Sequence, residues 1–181
     1  MNERSTSEKI VLKIIFPALL ILVPVLARGQ YVNSGISLGL TFESGVNWVD
    51  IDGDNDLDLT ISGFTPFIWN GQGKLYLNTA NVIAFQKDIR TIENGDQKWC
   101  DINHDGLPDL IYAGNGPIDT TAGIDIFDLS YNYTSFPAGF TPVSTASIDW
   151  GDYDNDGDYD VLISGKNNAG LVKTYLYSNN R

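Results

Sequence analysis

The sequence predicts an all-β fold built from a unit that repeats three times. A tryptophan, a nine-residue acidic loop and a short apolar run recur together at a constant spacing of 51 residues. A period of this length is typical of repeat architectures. The runs after the loops, LTIS, LIYA and VLIS, are rich in β-branched or aromatic residues and each precedes a glycine, as strands often do. The repeats lack the periodicity of an amphipathic helix, so we expect strands joined by turns.

The first 29 residues are predicted to be a signal peptide. Basic residues precede an apolar stretch, Ile14 to Leu26, whose length suits a signal-peptide core and falls short of the ~20 residues that a membrane span needs. Ala27 and Gly29 place small residues where signal peptidase cleaves, which would leave a mature chain from Gln30. A retained N-terminal anchor is the alternative. We therefore expect a secreted or cell-surface protein with no membrane span in its mature chain.

The remaining chain is predicted to form repeats at residues 30–81, 82–132 and 133–181. A complete repeat is expected to have four short strands in about fifty residues, which is typical of β-propeller blades. The acidic loop would join the innermost strand to the second. The third repeat stops after its third strand, and we interpret it as incomplete. Closed propellers have about four to eight blades. Three blades therefore predict a fragment of a longer protein, with an open arrangement or a homo-oligomer as the alternatives.

The three acidic loops are each predicted to bind a structural calcium ion. Side-chain oxygens stand at loop positions 1, 3, 5 and 9, and Ca²⁺ takes about six to eight oxygen ligands. Position 6 is Asn55, Gly106 or Gly157, which suits the left-handed backbone of a sharp turn. That turn would aim the backbone carbonyl of position 7 at the ion. The predicted ligands are Asp50, Asp52, Asp54, Asp56 and Asp58, then Asp101, Asn103, Asp105, Leu107 and Asp109, then Asp152, Asp154, Asp156, Asp158 and Asp160.

The charge of the chain supports cations in these loops. The net charge is −12 at pH 7, and it becomes −14 without the first 29 residues. Of the 21 acidic residues that remain, thirteen stand in the three loops. Carboxylates packed this closely repel each other unless a cation lies among them. Much of the acidity is therefore ligand chemistry, and nucleic acid is not expected as a partner. A solvated acidic turn is the alternative interpretation of each loop.

The residues after the loops separate this chain from other calcium-binding repeats. An EF-hand needs a Glu at the twelfth position on an outgoing helix, whereas this chain has Ile61, Tyr112 and Ile163 in predicted strands. Dockerin-like modules also continue into a helix, and thrombospondin-type calcium repeats need paired cysteines. The segments WVDIDGDNDLDLTISG, WCDINHDGLPDLIYAG and WGDYDNDGDYDVLISG resemble the FG-GAP or VCBS-type repeat of integrin-like β-propellers. The likeness covers most of residues 34–181.

This resemblance implies an exported, non-catalytic module that binds a protein or glycan ligand, as such repeats do in cell adhesion and in bacterial surface proteins. About three structural calcium ions belong to that interpretation. Phe64, Phe67 and Trp69 lie in a loop outside the repeat pattern and are the candidate ligand contacts. The alternative is a propeller fragment of an extracellular carbohydrate-active enzyme, a hydrolase or a polysaccharide lyase, with catalytic residues elsewhere.

Other noticeable residues have simpler interpretations. Trp48, Trp99 and Trp150 are expected to fill the space between neighbouring blades. Cys100 is the only cysteine, so no intramolecular disulfide can form, and we expect a small buried apolar side chain there. His104, the sole histidine, stands at loop position 4, where its side chain is expected to face water.

Overall fold

A computed structural model describes residues 31–39, 41–66 and 70–180 of the 181-residue chain. The described part contains strands and no helix, which confirms the all-β prediction. It therefore holds no helix that is long and apolar enough to cross a membrane. The predicted signal peptide, residues 1–29, lies outside the described residues.

The strands of the described residues form three antiparallel sheets, in which strands that are neighbours in the chain pair with each other. None of the sheets closes on itself. Sheet 1 contains β1 (Phe42–Val49), β2 (Asp58–Thr65), β3 (Asn70–Thr79) and β4 (Val82–Asp88). Sheet 2 contains β5 (Glu93–Cys100), β6 (Asp109–Asn115), β7 (Thr120–Phe127) and β8 (Tyr133–Phe136). Sheet 3 contains β9 (Val143–Gly151), β10 (Asp160–Asn167) and β11 (Val172–Tyr177).

The sequence repeats and the sheets are out of phase by one strand. β4 falls in the predicted repeat 82–132 but pairs with β3 of sheet 1, and β8 falls in the predicted repeat 133–181 but pairs with β7 of sheet 2. A sequence period marks where a pattern recurs, whereas hydrogen bonds decide which strands share a sheet. The segment that opens a sequence repeat therefore supplies the outer strand of the preceding sheet.

The sheets pack face to face in chain order, and their first strands β1, β5 and β9 are neighbours. We call the face that carries the repeat tryptophan the leading face of a sheet and the opposite face its trailing face. The trailing face of sheet 1 packs on the leading face of sheet 2, and sheets 2 and 3 pack in the same way. The buried strand residues of the first core are Val49, Leu75, Trp99, Leu110, Tyr112 and Phe127. Those of the second core are Cys100, Ile111, Ala113, Ile124, Val143, Ile148, Val161 and Ile163.

Polar contacts also join sheets 1 and 2. The indole Nε1 of Trp99 donates to Oγ1 of Thr60 at 3.0 Å. The connection between β4 and β5 crosses sheet 1 so closely that a Cβ at Gly73 would lie 2.2 Å from the carbonyl oxygen of Arg90. A glycine is required there because any larger side chain would collide with that backbone. The connection is thus part of the packing between the two sheets.

Candidate metal centres

Each acidic loop joins the first strand of a sheet to the second, which places the three loops at equivalent points of the fold. Position 6 has the predicted left-handed backbone, with φ of 69° at Asn55, 90° at Gly106 and 97° at Gly157. Position 4 is left-handed as well, which the sequence pattern did not predict. Its φ values are 74° at Gly53, 59° at His104 and 62° at Asn155. Two left-handed residues in so short a loop give all three the same tight curl.

The aspartate at loop position 1 is held by the backbone of its own loop. Oδ1 of Asp50 accepts a hydrogen bond from the N–H of Gly53 at 2.9 Å, and Oδ2 accepts one from the N–H of Asn55 at 3.2 Å. The equivalent bonds from position 6 to position 1 are Gly106 to Asp101 at 2.9 Å and Gly157 to Asp152 at 3.2 Å. These bonds orient the carboxylate toward the inside of the curled loop.

In the first and third loops, the carboxylates at positions 1, 3 and 5 come together. The two sets, in which one oxygen of each member lies within 4.8 Å of the others, are Asp50, Asp52 and Asp54, and Asp152, Asp154 and Asp156. Ligand oxygens about 2.3–2.6 Å from a calcium ion are separated from each other by at most roughly 4.6–5.2 Å. Three oxygens at the observed separations therefore fit around one such ion, and carboxylate is the ligand type that Ca²⁺ prefers.

The second loop has a different set of donors. Oδ1 of Asn103 accepts from the N–H of Asp105 at 2.8 Å, and its Nδ2 donates to Oδ2 of Asp105 at 2.9 Å. An amide thus replaces the carboxylate of position 3 and occupies an oxygen of position 5. With one fewer carboxylate among positions 1, 3, 5 and 9, this loop is expected to attract a cation less strongly than the other two.

Position 7 is occupied by Asp56, Leu107 and Asp158, whose backbone carbonyls are predicted ligands. The N–H of each donates to the carboxylate at position 5, and the three bonds are Asp56 to Asp54 at 2.8 Å, Leu107 to Asp105 at 2.9 Å and Asp158 to Asp156 at 2.9 Å. The shared bond gives this part of the backbone one arrangement in all three loops. Coordination through the carbonyls stays a prediction.

The closing aspartates at position 9 are buried and tie separate parts of each repeat together. Asp58 is 0% exposed. Its Oδ2 accepts from the N–H of Ile51 at 3.0 Å and its Oδ1 from the N–H of Asn78 at 2.8 Å. Similar bonds reach Asp109 from Phe127 at 3.0 Å, and Asp160 from Tyr153 and Asn179 at 3.0 and 2.9 Å. A carboxylate oxygen has two lone pairs, so these bonds leave room for the predicted ligand role.

Burial and repulsion raise the pKa of several loop carboxylates. Burial raises the pKa of Asp58, and the neighbouring aspartates of its loop add to the increase. Burial raises the pKa of Asp109 to about 6. The pKa of Asp154 is raised by desolvation first and then by repulsion from the carboxylates around it. A bound cation would relieve this repulsion and favour the charged forms.

Two side chains beside the loops connect neighbouring repeats. Tyr131, between β7 and β8, hydrogen bonds to Asp52 of the first loop, and burial followed by the loop carboxylates raises the pKa of its phenol. His104 is 46% exposed, as expected for a side chain that meets water, but its Nε2 also lies 3.4 Å from Oδ1 of Asp158 in the third loop. Its ring centroid is 5.5 Å from that of Tyr159. A pattern found within single repeats does not reveal such contacts between repeats.

The predicted ligand contacts are described only in part. Phe64 lies in β2 and not in a loop as predicted, because it pairs with β1 and β3. It is half-buried, and its ring lies 5.0 Å from that of Phe42 in an edge-on arrangement. Phe42 itself is 45% exposed. Phe67 and Trp69 lie outside the described residues. An aromatic pair at the end of β1 and β2 is therefore the described part of this candidate surface.

Cys100 is 5% exposed in the second core, as the sequence predicts. Burial raises the pKa of its thiol to about 12. Because the thiolate is the reactive form, we expect the folded protein to resist a water-soluble thiol reagent that labels the denatured protein completely. Mass spectrometry after timed labelling measures this difference. Rapid labelling of the native protein would contradict the buried position of the thiol.

No model of a known protein family matches this chain, and no curated protein is significantly similar to it. The ligand of the three loops is therefore inferred from their own donors. The donors are oxygens, mostly charged, on a short curled backbone, and this set suits a hard cation such as Ca²⁺.

Proposed function

We propose that the protein is an exported calcium-binding module with β-propeller-type repeats that binds a protein or glycan ligand and catalyses no reaction. One observation carries the proposal. Three loops with a spacing of 51 residues keep side-chain oxygens at positions 1, 3, 5 and 9, and they share the left-handed turns and the hydrogen bonds from position 6 to position 1 and from position 7 to position 5. A solvated turn does not need four oxygen donors at these positions. A bound hard cation does.

The proposed calcium ions have a structural role. The aspartates at positions 1, 3 and 5 of the first and third loops would hold an ion, and Asp101, Asn103 and Asp105 would do so in the second. A bound ion supplies positive charge among mutually repelling carboxylates. Because each loop lies between the first two strands of a sheet, relief of this repulsion stabilises the start of every sheet.

The exposed aromatic pair supports ligand binding at one end of sheet 1. Phe42 and Phe64 contact each other at the ends of paired strands, and Phe67 and Trp69 follow closely in the sequence. Exposed aromatic side chains provide large contact areas for sugars and for protein partners. This position is separate from the acidic loops, so calcium would support the binding surface without forming it.

Calorimetric titration tests the proposed sites and their ranking. Asp156→Ala in the third loop is expected to lower calcium-linked stability more than Asp105→Ala in the second, because the third loop has more carboxylates to neutralise. Each variant loses a backbone hydrogen bond of 2.9 Å from position 7, and Asp105→Ala also loses the bond from Nδ2 of Asn103 at 2.9 Å. The difference between unfolding free energies with and without calcium isolates the contribution of the ion.

Asp119→Asn is the control for these two variants, because it removes one negative charge outside the loops, where the carboxylate accepts only the N–H of Thr120 among the hydrogen bonds of the described residues. It should leave calcium binding unchanged. The opposite ranking would mean that loop rigidity outweighs ligand charge. An absence of calcium binding by the wild-type protein would refute the proposed function.

A further inference from the structure

The leading face of sheet 1 is an exposed apolar surface in the described structure. Trp48 is 61% exposed, Val46 is 65% exposed and Phe85 is 53% exposed. The equivalent tryptophan of sheet 2, Trp99, is only 8% exposed because sheet 1 covers it. Large exposed apolar surfaces are unusual on monomeric soluble proteins and indicate contact with a partner.

The two internal interfaces define what such a partner must provide. Trp99 packs on the trailing face of sheet 1, where it donates to Thr60. Trp150, 51 residues later, packs against the second core, to which the trailing face of sheet 2 contributes Ile111, 51 residues after Thr60. In both interfaces the repeat tryptophan of one sheet therefore packs on the trailing face of the preceding sheet, which is its neighbour. Trp48 is the only one of the three that lacks such a neighbour among the described residues.

The trailing face of sheet 3 has an exposed apolar residue at the position equivalent to Thr60 and Ile111. Leu162 lies 51 residues after Ile111 and is 43% exposed, and Leu176, which is paired with it on β11, is 51% exposed. A cavity of about 250 Å³ opens beside them and is also lined by Gly151. This face thus offers a recess at the position equivalent to Thr60, which contacts Trp99, and to Ile111, which lies in the second core.

A polar contact joins sheets 1 and 2 beside these apolar residues. Oγ of Ser62 accepts from the N–H of Ile92 at 2.6 Å and donates to the carbonyl of Ile92 at 2.9 Å. The second interface lacks this contact because Ala113 stands one period after Ser62, but Ser164 stands two periods after it, and Thr41 stands one period before Ile92. The hydroxyl of Ser164 accepts from Oγ1 of Thr174 at 3.3 Å and has its own proton to donate to the backbone of Thr41 when the two exposed faces meet.

The segments ahead of β1 and β5 also indicate that a further sheet covers the leading face of sheet 1. Ile89 is 5% exposed and Ile92 is 2% exposed, because the connection ahead of β5 lies between two sheets. Leu38 stands one period before Ile89 and packs against the leading face of sheet 1, but it is only partly buried. A sheet placed over this face would complete its burial, as sheet 1 does for the connection ahead of sheet 2.

We propose that the leading face of sheet 1 in one copy of the chain packs on the trailing face of sheet 3 in a second copy. The second copy repeats the contact in the other direction, which gives a closed dimer of six sheets. Six sheets lie within the range of about four to eight for closed propellers. The contact is inferred from the packing of the sheets, and because Asp152 and Asp160 of the third loop also line the recess, the dimer is tested with calcium present.

Sedimentation velocity of the mature chain in calcium tests the dimer. The wild type is expected to show twice the monomer mass at micromolar concentration. Trp48→Asp and Leu162→Lys should each weaken dimerisation by at least about 30-fold, as expected when a central apolar contact is replaced by a charge. An equimolar mixture of the two variants should recover dimers, because one contact then has the wild-type Trp48 and Leu162 and the other joins two opposite charges.

Ile118→Asp is the control, since Ile118 is 99% exposed in the turn between β6 and β7, away from both faces. This variant should dimerise like the wild type. Circular dichroism of each variant verifies that the strands are intact, and dilution of the wild-type protein gives a measurement that needs no variant.

A wild-type monomer at all concentrations would overturn the proposal and assign the exposed face to another occupant. Two folded variants that do not complement each other would show that these two faces are not in contact.

Discussion

Calcium is expected to raise the melting temperature of this protein by about 10–30 °C relative to the same protein in chelator. Extracellular calcium modules bind with dissociation constants on the order of 10⁻⁴ to 10⁻³ M. At about 10 mM calcium, each site then contributes roughly 1.4–2.7 kcal/mol to the free energy of unfolding, and three sites contribute about 4–8 kcal/mol. For a domain of this size, 1 kcal/mol shifts the midpoint by about 2–4 °C. Differential scanning calorimetry measures the shift directly.

Magnesium at the same concentration is the control for this measurement. It has the same charge as calcium, so it screens the carboxylates equally, but it is smaller and gives up its water reluctantly. A much smaller shift in magnesium would assign the effect to coordination in the loops. Equal midpoints in calcium and in chelator would eliminate the structural role of the ion.

The sequence predicts the repeating part of this fold because each unit carries its own signals. The runs after the loops form β2, β6 and β10, and the residues that exclude an EF-hand, Ile61, Tyr112 and Ile163, are buried in those strands. The turn at loop position 6 also follows from residue type, since Asn and Gly enter the left-handed region at least cost. Local patterns of this kind depend on neighbours in the chain and therefore appear in the sequence.

Contacts between units are the part that the sequence does not predict. Trp48, Trp99 and Trp150 occupy one repeat position, but Trp99 is buried and Trp48 is largely exposed because only the former has a sheet in front of it. The out-of-phase pairing of β4 and β8 is equally invisible to a sequence period. Both properties depend on which surfaces meet in space, and a repeat pattern does not specify that.

An ion pair between Arg90 of the β4–β5 connection, whose side chain is 25% exposed, and the buried Asp125 of sheet 2 is the clearest feature outside the repeat pattern. The guanidinium of Arg90 donates two hydrogen bonds to Asp125, which is 0% exposed, and a further bond to Ser135 at 2.8 Å. It also lies 4.4 Å from the ring centroid of Tyr112. The positions one period away from Asp125 are Lys74 and Leu176, so the other two repeats do not have this pair.

Arg90→Met is expected to lower the free energy of unfolding by about 3–5 kcal/mol, because it leaves the charge of Asp125 buried without its cation and with the hydroxyl of Ser135, at 2.8 Å, as the remaining side-chain donor among the described residues. Removing both charges lowers the free energy of unfolding far less than removing one, because a buried ion pair stabilises a protein little more than apolar side chains of similar volume do. The double variant Arg90→Met with Asp125→Leu should therefore recover most of the loss. Urea unfolding in saturating calcium measures all three proteins under conditions in which the loops contribute equally.

Lys74→Met provides the matched control on sheet 1. Lys74 pairs with Asp88 at 2.9 Å, but the carboxylate is 75% exposed, and such surface pairs contribute only about 0–1 kcal/mol. Replacing the cation by Met should thus lower the free energy of unfolding only slightly when the carboxylate is exposed and strongly when it is buried. If Arg90→Met is as mild as Lys74→Met, water reaches Asp125 and the pair is not buried in solution. If the double variant is as unstable as Arg90→Met alone, the loss comes from packing of the Arg90 side chain on Tyr112 and not from the unpaired charge.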